Sequence, residues 1–221
     1  MRLSLTEGRV IGCLIEKQLT MPQQYPLTLN ALVSACNQSS NRDPVVAYDE
    51  HLVEQAVTSL KAAGLVHFVH PSHGRSVTRY RHVLDEQQGL DERVLALVAV
   101  LLLRGPQTSG ELRARTERMT TFDSIAAVEA ELDTMSGLPE SLVQKLPRRP
   151  GQKEERWKQR LASSDPAAPH VDADTGRPAS AHRAPTLPVN VGAFLSHRSS
   201  SAALPALRWS FRRLAQGQGA T

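Results

Sequence analysis

Four histidines, His67, His70, His73 and His82, gather in one short region and carry the side chain that most often ligates zinc. Their spacing argues against a shared ion. His67 and His70 sit in LVHFVH, a β-rich run in which residues three apart face opposite sides, so both cannot turn to one metal without a bulge. Cys13 and Cys36 fall inside helical patterns, match no spaced ligand signature, and read as small, reduced core residues. Glu129 and Asp133 stand one helical turn apart, a spacing that suits a solvated face better than an acid/base pair. No phosphate-binding loop, dinucleotide fingerprint, HExxH or nucleophile elbow occurs. The expectation is no enzyme, with no catalytic residues, no cofactor and no metal.

Binding chemistry is better represented than catalysis. Between Lys145 and Arg160 there are seven basic residues, Lys145, Arg148, Arg149, Lys153, Arg156, Lys158 and Arg160, against Glu154 and Glu155, with Trp157 among them. A basic hairpin with a glycine at its tip can follow a phosphate backbone, although charge also keeps an edge hairpin soluble. Arg75, Arg79 and Arg81 make a smaller version in the first half of the chain. The polar stretch ACNQSSNRDPV, residues 35–45, adds a second candidate. Asn37 could take a left-handed helix cap, Pro44 restricts Asp43 to extended backbone, and Val45, Val46 and Tyr48 could dock the loop. Gln38, Asn41 and Arg42 then have no structural task, and their amides and guanidinium could hold a base, a phosphate or a peptide. Arg42→Ala is accordingly expected to leave the melting temperature nearly unchanged.

The elements that must position these residues follow one order twice. Thr6 to Gln18 has helical apolar spacing at Val10, Ile11, Leu14 and Ile15, with Thr6 as a cap and Glu7, Glu16 and Lys17 outward. Thr28 to Cys36 is a second helix, and a third starts at the Asp49 cap, turns Val53, Ala56, Val57 and Leu60 inward and ends at Gly64. Leu65–His70 and Ser76–His82 then form a hairpin. The second copy runs through Asp91–Leu103, Thr108 to about Arg118, and Asp123–Met135 with Val128, Leu132 and Met135 inward. Its hairpin pairs Ser141–Leu146 with Glu154–Gln159. Three helices followed by a hairpin, repeated at about 85 residues, is the order of two winged helix-turn-helix domains. The expected fold is mainly α with small β-hairpins: one domain over 1–85, a second over 86–161, and a disordered tail over 162–221.

Length and charge agree with this division. The chain of 221 residues can hold two small cores. The pI is about 9.4, yet residues 1–85 carry 8 basic and 7 acidic side chains and residues 86–161 carry 12 and 12. The excess lies in the tail, with 6 against 3. That tail is rich in Ala, Pro, Ser, Arg and His and lacks sustained periodicity. Leu204, Leu207, Phe211 and Leu214 could mark a short basic amphipathic helix there, too short to stand alone. The longest apolar run, Val94–Leu103, is about half the roughly 20 residues of a membrane span. No secretory leader is read at the start, so a cytoplasmic setting without membrane contact is expected.

The strings RVIGCLIEKQLTMPQQYPLTLNALVSACNQSSNRDPV, LLLRGPQTSGELRARTERM and RRPGQKEERW resemble the YceH-like bacterial family, a domain-of-unknown-function family of two winged-helix modules. The resemblance runs from about Arg9 to Trp157. It implies the tandem fold and a cytoplasmic bacterial setting, and brings no catalytic or ligand residues.

Winged helices commonly read DNA with the third helix, but the side chains here divide that expectation. The first third helix has a balance of −2, and Asp123–Met135 carries Asp123, Glu129, Glu131 and Asp133 with no base. Acidic side chains oppose docking among phosphates. One expectation is therefore a DNA-binding or transcription-associated regulator using its wings and the 35–45 loop. Its contacts would be Gln38, Asn41, Arg42, Arg75, Arg79, Lys145, Arg148, Arg149, Lys153 and Arg156. The alternative is an adaptor whose acidic helix faces dock another protein or a second copy of the chain.

Overall fold

In the computed structural model, which describes residues 2–70, 77–148 and 150–163, the first helix begins not at Thr6 but at a capping box. The Ser4 hydroxyl accepts from the Glu7 N–H at 3.2 Å, and the Glu7 carboxylate accepts from the Ser4 N–H at 2.7 Å. Two otherwise orphaned donors are satisfied at once, which fixes α1 as Leu5–Thr20 and leaves Thr6 inside it. After a short 3-10 turn, Pro22–Gln24, the two-residue β1 (Leu27–Thr28) leads into α2 (Leu29–Cys36), capped by Thr28. Asp49 caps α3 (Glu50–Ala62), and Gly64 turns the chain at φ 73° into β2 (Val66–Val69) and β3 (Arg79–His82). The sheet order is β1-β3-β2, all antiparallel.

A connecting helix that the sequence reading lacks, α4 (Leu84–Gln88), ends at the left-handed Gly89. Then the order repeats: α5 (Glu92–Arg104), α6 (Ser109–Thr116), α7 (Ile125–Ser136), β4 (Val143–Leu146) and β5 (Arg156–Gln159). Asp91, Thr108 and Ser124 supply the three N-caps; Asp123 lies one residue outside the cap. The repetition extends below the level of elements. In the first repeat Leu27, just ahead of α2, pairs with Tyr80 of the closing strand. In the second, Gln107, just ahead of α6, exchanges both backbone hydrogen bonds with Trp157 at 3.0 and 2.7 Å.

Core positions expected from periodicity are buried: Val53, Ala56, Val57 and Leu60 in α3, and Val128, Leu132 and Met135 in α7. One continuous cluster of buried residues runs from Leu3 to Ala162 and includes both repeats. Its seam is the contact of α1 with α5. Gly8 and Gly12 occupy one α1 face, and a Cβ on Gly12 would come within 2.9 Å of Leu103 Cγ, while one on Gly8 would come within 2.7 Å of Ala162 Cβ. Absent side chains let the two helices approach closely. The buried run Val94–Leu101 and Leu103 makes α5 apolar nearly all round, as expected for a helix enclosed by neighbours. Edge pairing adds to the seam, since Leu3 pairs in parallel with Ala162 and exchanges backbone bonds with Leu161 and Ser163. The chain is therefore structured through Ser163. The remainder of the tail, Leu204–Leu214 with it, lies outside the described residues.

No described helix is long and apolar enough to cross a membrane. Cys13 and Cys36 are both buried and free. The hydrogen bond with Cys13, and then burial, push the Cys36 thiol far above its ordinary value, so it stays protonated.

Candidate contact surfaces and the loop between the repeats

The 35–45 loop overturns the reading that Gln38, Asn41 and Arg42 have no structural task. Arg42 is turned inward, its side chain 0% exposed, and pairs with Glu16 at 2.6 Å. Its Nε donates to the Ala35 carbonyl, its Nη1 to the Asn41 carbonyl, and its Nη2 also to Gln38 Oε1 at 2.9 Å. Burial, the largest single influence, works to depress the Arg42 pKa, but the Glu16 hydrogen bond and charge together with neighbouring Cys13 hold the value above the ordinary one. Arg42 is thus a buried charge held by a buried partner, and Glu16, expected to face outward, is only 4% exposed. Gln38 orients the guanidinium, and Asn41 takes the left-handed conformation at φ 57° that had been assigned to Asn37. Asn37 instead closes the loop with a paired bond, its side-chain amide donating to the Tyr48 carbonyl and accepting the Tyr48 N–H, both at 2.8 Å. Of the residues expected to dock the loop, Tyr48 packs on the core and Val46 is half-buried. Val45 is 58% exposed.

The same loop reaches across to the second repeat. The Asp43 N–H donates to the Leu103 carbonyl at 2.9 Å, and Arg104 Nη1 donates to Asn41 Oδ1 at 2.9 Å. Arg9 Nη2 donates to the Pro44 carbonyl at 2.6 Å, and Arg118 Nη2 reaches Glu16 Oε1 at 3.2 Å. A stretch that looked like an exposed corner is a strut between repeats.

The first hairpin spends its charges locally. Arg79 Nη1 donates to the Pro26 carbonyl at 2.9 Å, and Arg81 pairs with Glu86. His67 Nδ1 lies 3.3 Å from Arg81, His70 Nδ1 lies 3.4 Å from Thr78, and His82 is buried, so these three histidines face separate neighbours. Arg75 and His73 lie outside the described residues.

The second hairpin is partly neutralised at its base. Arg156 pairs with Glu111 at 3.0 Å and donates to the Pro106 carbonyl at 2.9 Å, which ties β5 to the start of α6. Lys145 pairs with Glu155 at 3.0 Å while lying 5.3 Å from the Trp157 ring centroid, and the Glu155 bond holds its pKa above the ordinary value. Toward the turn the picture changes. Arg148 and Lys153 are exposed, and no ion pair reaches either among the described residues. Both line a groove of about 420 Å³ whose other wall includes Ser109, Gly110, Ile125 and Glu129. Arg149 lies outside the described residues. Across the groove, α7 exposes Ile125, Ala126, Glu129, Ala130 and Asp133, a small, acidic face without a base.

Among the described residues no three of His, Cys, Asp and Glu converge as a metal site would require. What the fold defines is a mainly helical protein with small antiparallel sheets, built from a repeated helix–hairpin pattern.

The chain belongs to a family of bacterial proteins whose model, described as "Protein of unknown function, DUF480", matches residues 3–152. It is 49% identical over 160 residues to UPF0502 protein GSU0233 of Geobacter sulfurreducens, covering 72% of each chain. A UPF0502 protein of Geotalea uraniireducens is 53% identical over 156 residues, covering 71% of this chain and 70% of its own. UPF0502 protein Acid345_3645 of Koribacter versatilis is 47% identical over 163 residues, covering 74% and 75%.

Proposed function

We propose that this chain is a non-enzymatic, cytoplasmic tandem winged-helix protein that contacts nucleic-acid phosphates through its second wing. The observation that carries the reading is the pair Arg148 and Lys153, exposed and free of ion pairs among the described residues at the turn of the β4–β5 hairpin. The winged-helix reading is supported by the pairing of the segment ahead of the second helix with the closing strand in both repeats. Contact is with the backbone and not with base edges, because the exposed face of α7 carries Glu129 and Asp133 and no base. Arg79 and Arg156, engaged with carbonyls and a carboxylate, add field and little direct contact.

The test is a mobility shift on mixed duplex fragments across a salt series. Arg148→Ala/Lys153→Ala should weaken binding at every sequence and reduce the salt slope by about 2, one unit per lost phosphate contact. Absence of binding at low salt, or an unchanged slope in the double variant, refutes the reading. A second reading is favoured by one feature. The Ile125, Ala126 and Ala130 face of α7, bordered by carboxylates, suits a protein surface, and light scattering with affinity capture under nuclease treatment separates the two.

A further inference from the structure

Where the repeats meet, the start of α1, the Asp43–Tyr48 part of the loop, the end of α5 and the strand around Lys158 enclose a cavity of about 710 Å³. Its charge is one-sided. Among the described residues Arg2, Arg9, Arg104, Lys158 and Arg160 line it, against the single carboxylate of Asp43. None of the five cations is in an ion pair among the described residues. They come from both repeats; Lys158 belongs to β5, the strand that Trp157 anchors in the core, and Arg160 follows directly after it.

Arg9 distinguishes this cavity from a basic surface patch. It is 5% exposed, and its Nη2 is used on the Pro44 carbonyl while Nη1 is buried with no hydrogen-bond partner among the described residues. A guanidinium cannot escape that situation by losing a proton, so an unsatisfied buried donor on it is costly. Like charges converging on a recess are likewise destabilising unless an anion joins them.

We propose that the cavity binds a small molecule carrying one or two phosphate groups, with the phosphate oxygens meeting Arg9, Arg104 and Lys158. Several cations against one carboxylate call for more than a single negative charge, and arginine forks match phosphate oxygens. The volume lies in the range of sites for small organic ligands and exceeds the need of an isolated phosphate. Leu5, Pro44, Tyr48, Leu101 and Leu102 offer the apolar wall on which an organic portion packs. A terminal phosphate can enter the recess beside Arg9, whereas the backbone of a stiff duplex cannot. The proposal stands apart from the nucleic-acid reading, since neither Arg148 nor Lys153 lines this cavity.

The experiment is calorimetric titration of the full chain with inorganic pyrophosphate at fixed ionic strength, repeated in the presence of a short DNA duplex. One saturable site is expected. Lys158→Gln/Arg160→Gln should weaken it at least tenfold, as should Arg9→Met, while Arg148→Ala/Lys153→Ala leaves it unchanged and the duplex does not displace it. Lys158 and Arg160 are not core residues, so their variant carries the test if Arg9→Met fails to fold. No saturable binding, an affinity unaffected by Lys158→Gln/Arg160→Gln, or displacement by the duplex overturns the proposal.

Discussion

Replacing Arg42 with alanine removes four hydrogen bonds, to Ala35, Gln38, Asn41 and Glu16, from the interior of the first repeat. The larger cost lies in what remains. Glu16, its side chain 5% exposed, keeps Arg118 as its one ion-pair partner among the described residues, and Arg118 is 58% exposed, so water screens much of that attraction. Breaking a buried pair by deleting one partner costs about 3–5 kcal/mol, because the other charge is stranded. For a protein of this size each kcal/mol moves the melting temperature by about 2–4 °C, so Arg42→Ala should lower it by about 6–20 °C. Circular dichroism melts supply the measurement, and a double-mutant cycle supplies the mechanism. Arg42→Met with Glu16→Gln leaves neither charge stranded and should be at least about 2 kcal/mol more stable than the sum of the single losses implies. A melting point within about 2 °C of the parent for Arg42→Ala, or strictly additive single losses, would refute the assignment of this pair as the loop's anchor.

Other outcomes follow from the same packing. His82 is buried, and desolvation pushes its pKa down to about 4 from the ordinary 6.5. Between those values the unfolded chain holds the extra proton, so stability is full above pH 6.5 and falls toward pH 4, by roughly 3 kcal/mol in total. Urea midpoints of parent and His82→Gln should diverge above pH 6.5 and converge toward pH 4; a gap independent of pH contradicts this. Gly12→Ala should destabilise by about 1–3 kcal/mol despite the gain in helix propensity, since its Cβ would meet Leu103. Gly110→Ala, whose Cβ would have 3.9 Å of clearance, should stabilise by about 0.5–1 kcal/mol in the same denaturation assay. Cys13 and Cys36 should resist an aromatic disulfide reagent in the native protein and react fully in guanidinium.

Helix periods, caps and turn glycines are local signals, and they placed α2, α3, α5 and both hairpins close to where they lie. Single-cap choices were less legible: Ser4 beat Thr6 because only Ser4 has Glu7 three residues on, and Ser124 beat Asp123 by directing its hydroxyl to the Ala127 N–H. The roles of Arg42 and Glu16 were not legible. Their partnership joins residues 26 apart through a long turn, and a lone carboxylate at the edge of an amphipathic helix looks like any solvated one. It is buried because Arg118 and the loop close over it, a tertiary fact that periodicity does not encode. The cavity escaped for the same reason, since Arg9, Arg104 and Lys158 share no sequence neighbourhood. The unbroken apolar run Val94–Leu103 was a visible hint that α5 is enclosed by neighbours, as its burial bears out.

The glycine seam between α1 and α5 has a metric consequence. A side chain at Gly8 or Gly12 would have to push α1 away from Ala162 or Leu103, so the closeness of the two repeats depends on two missing methyl groups and not only on the chain that joins them. Inserting residues near Gly89 would lengthen that chain and leave the α1–α5 contact itself in place.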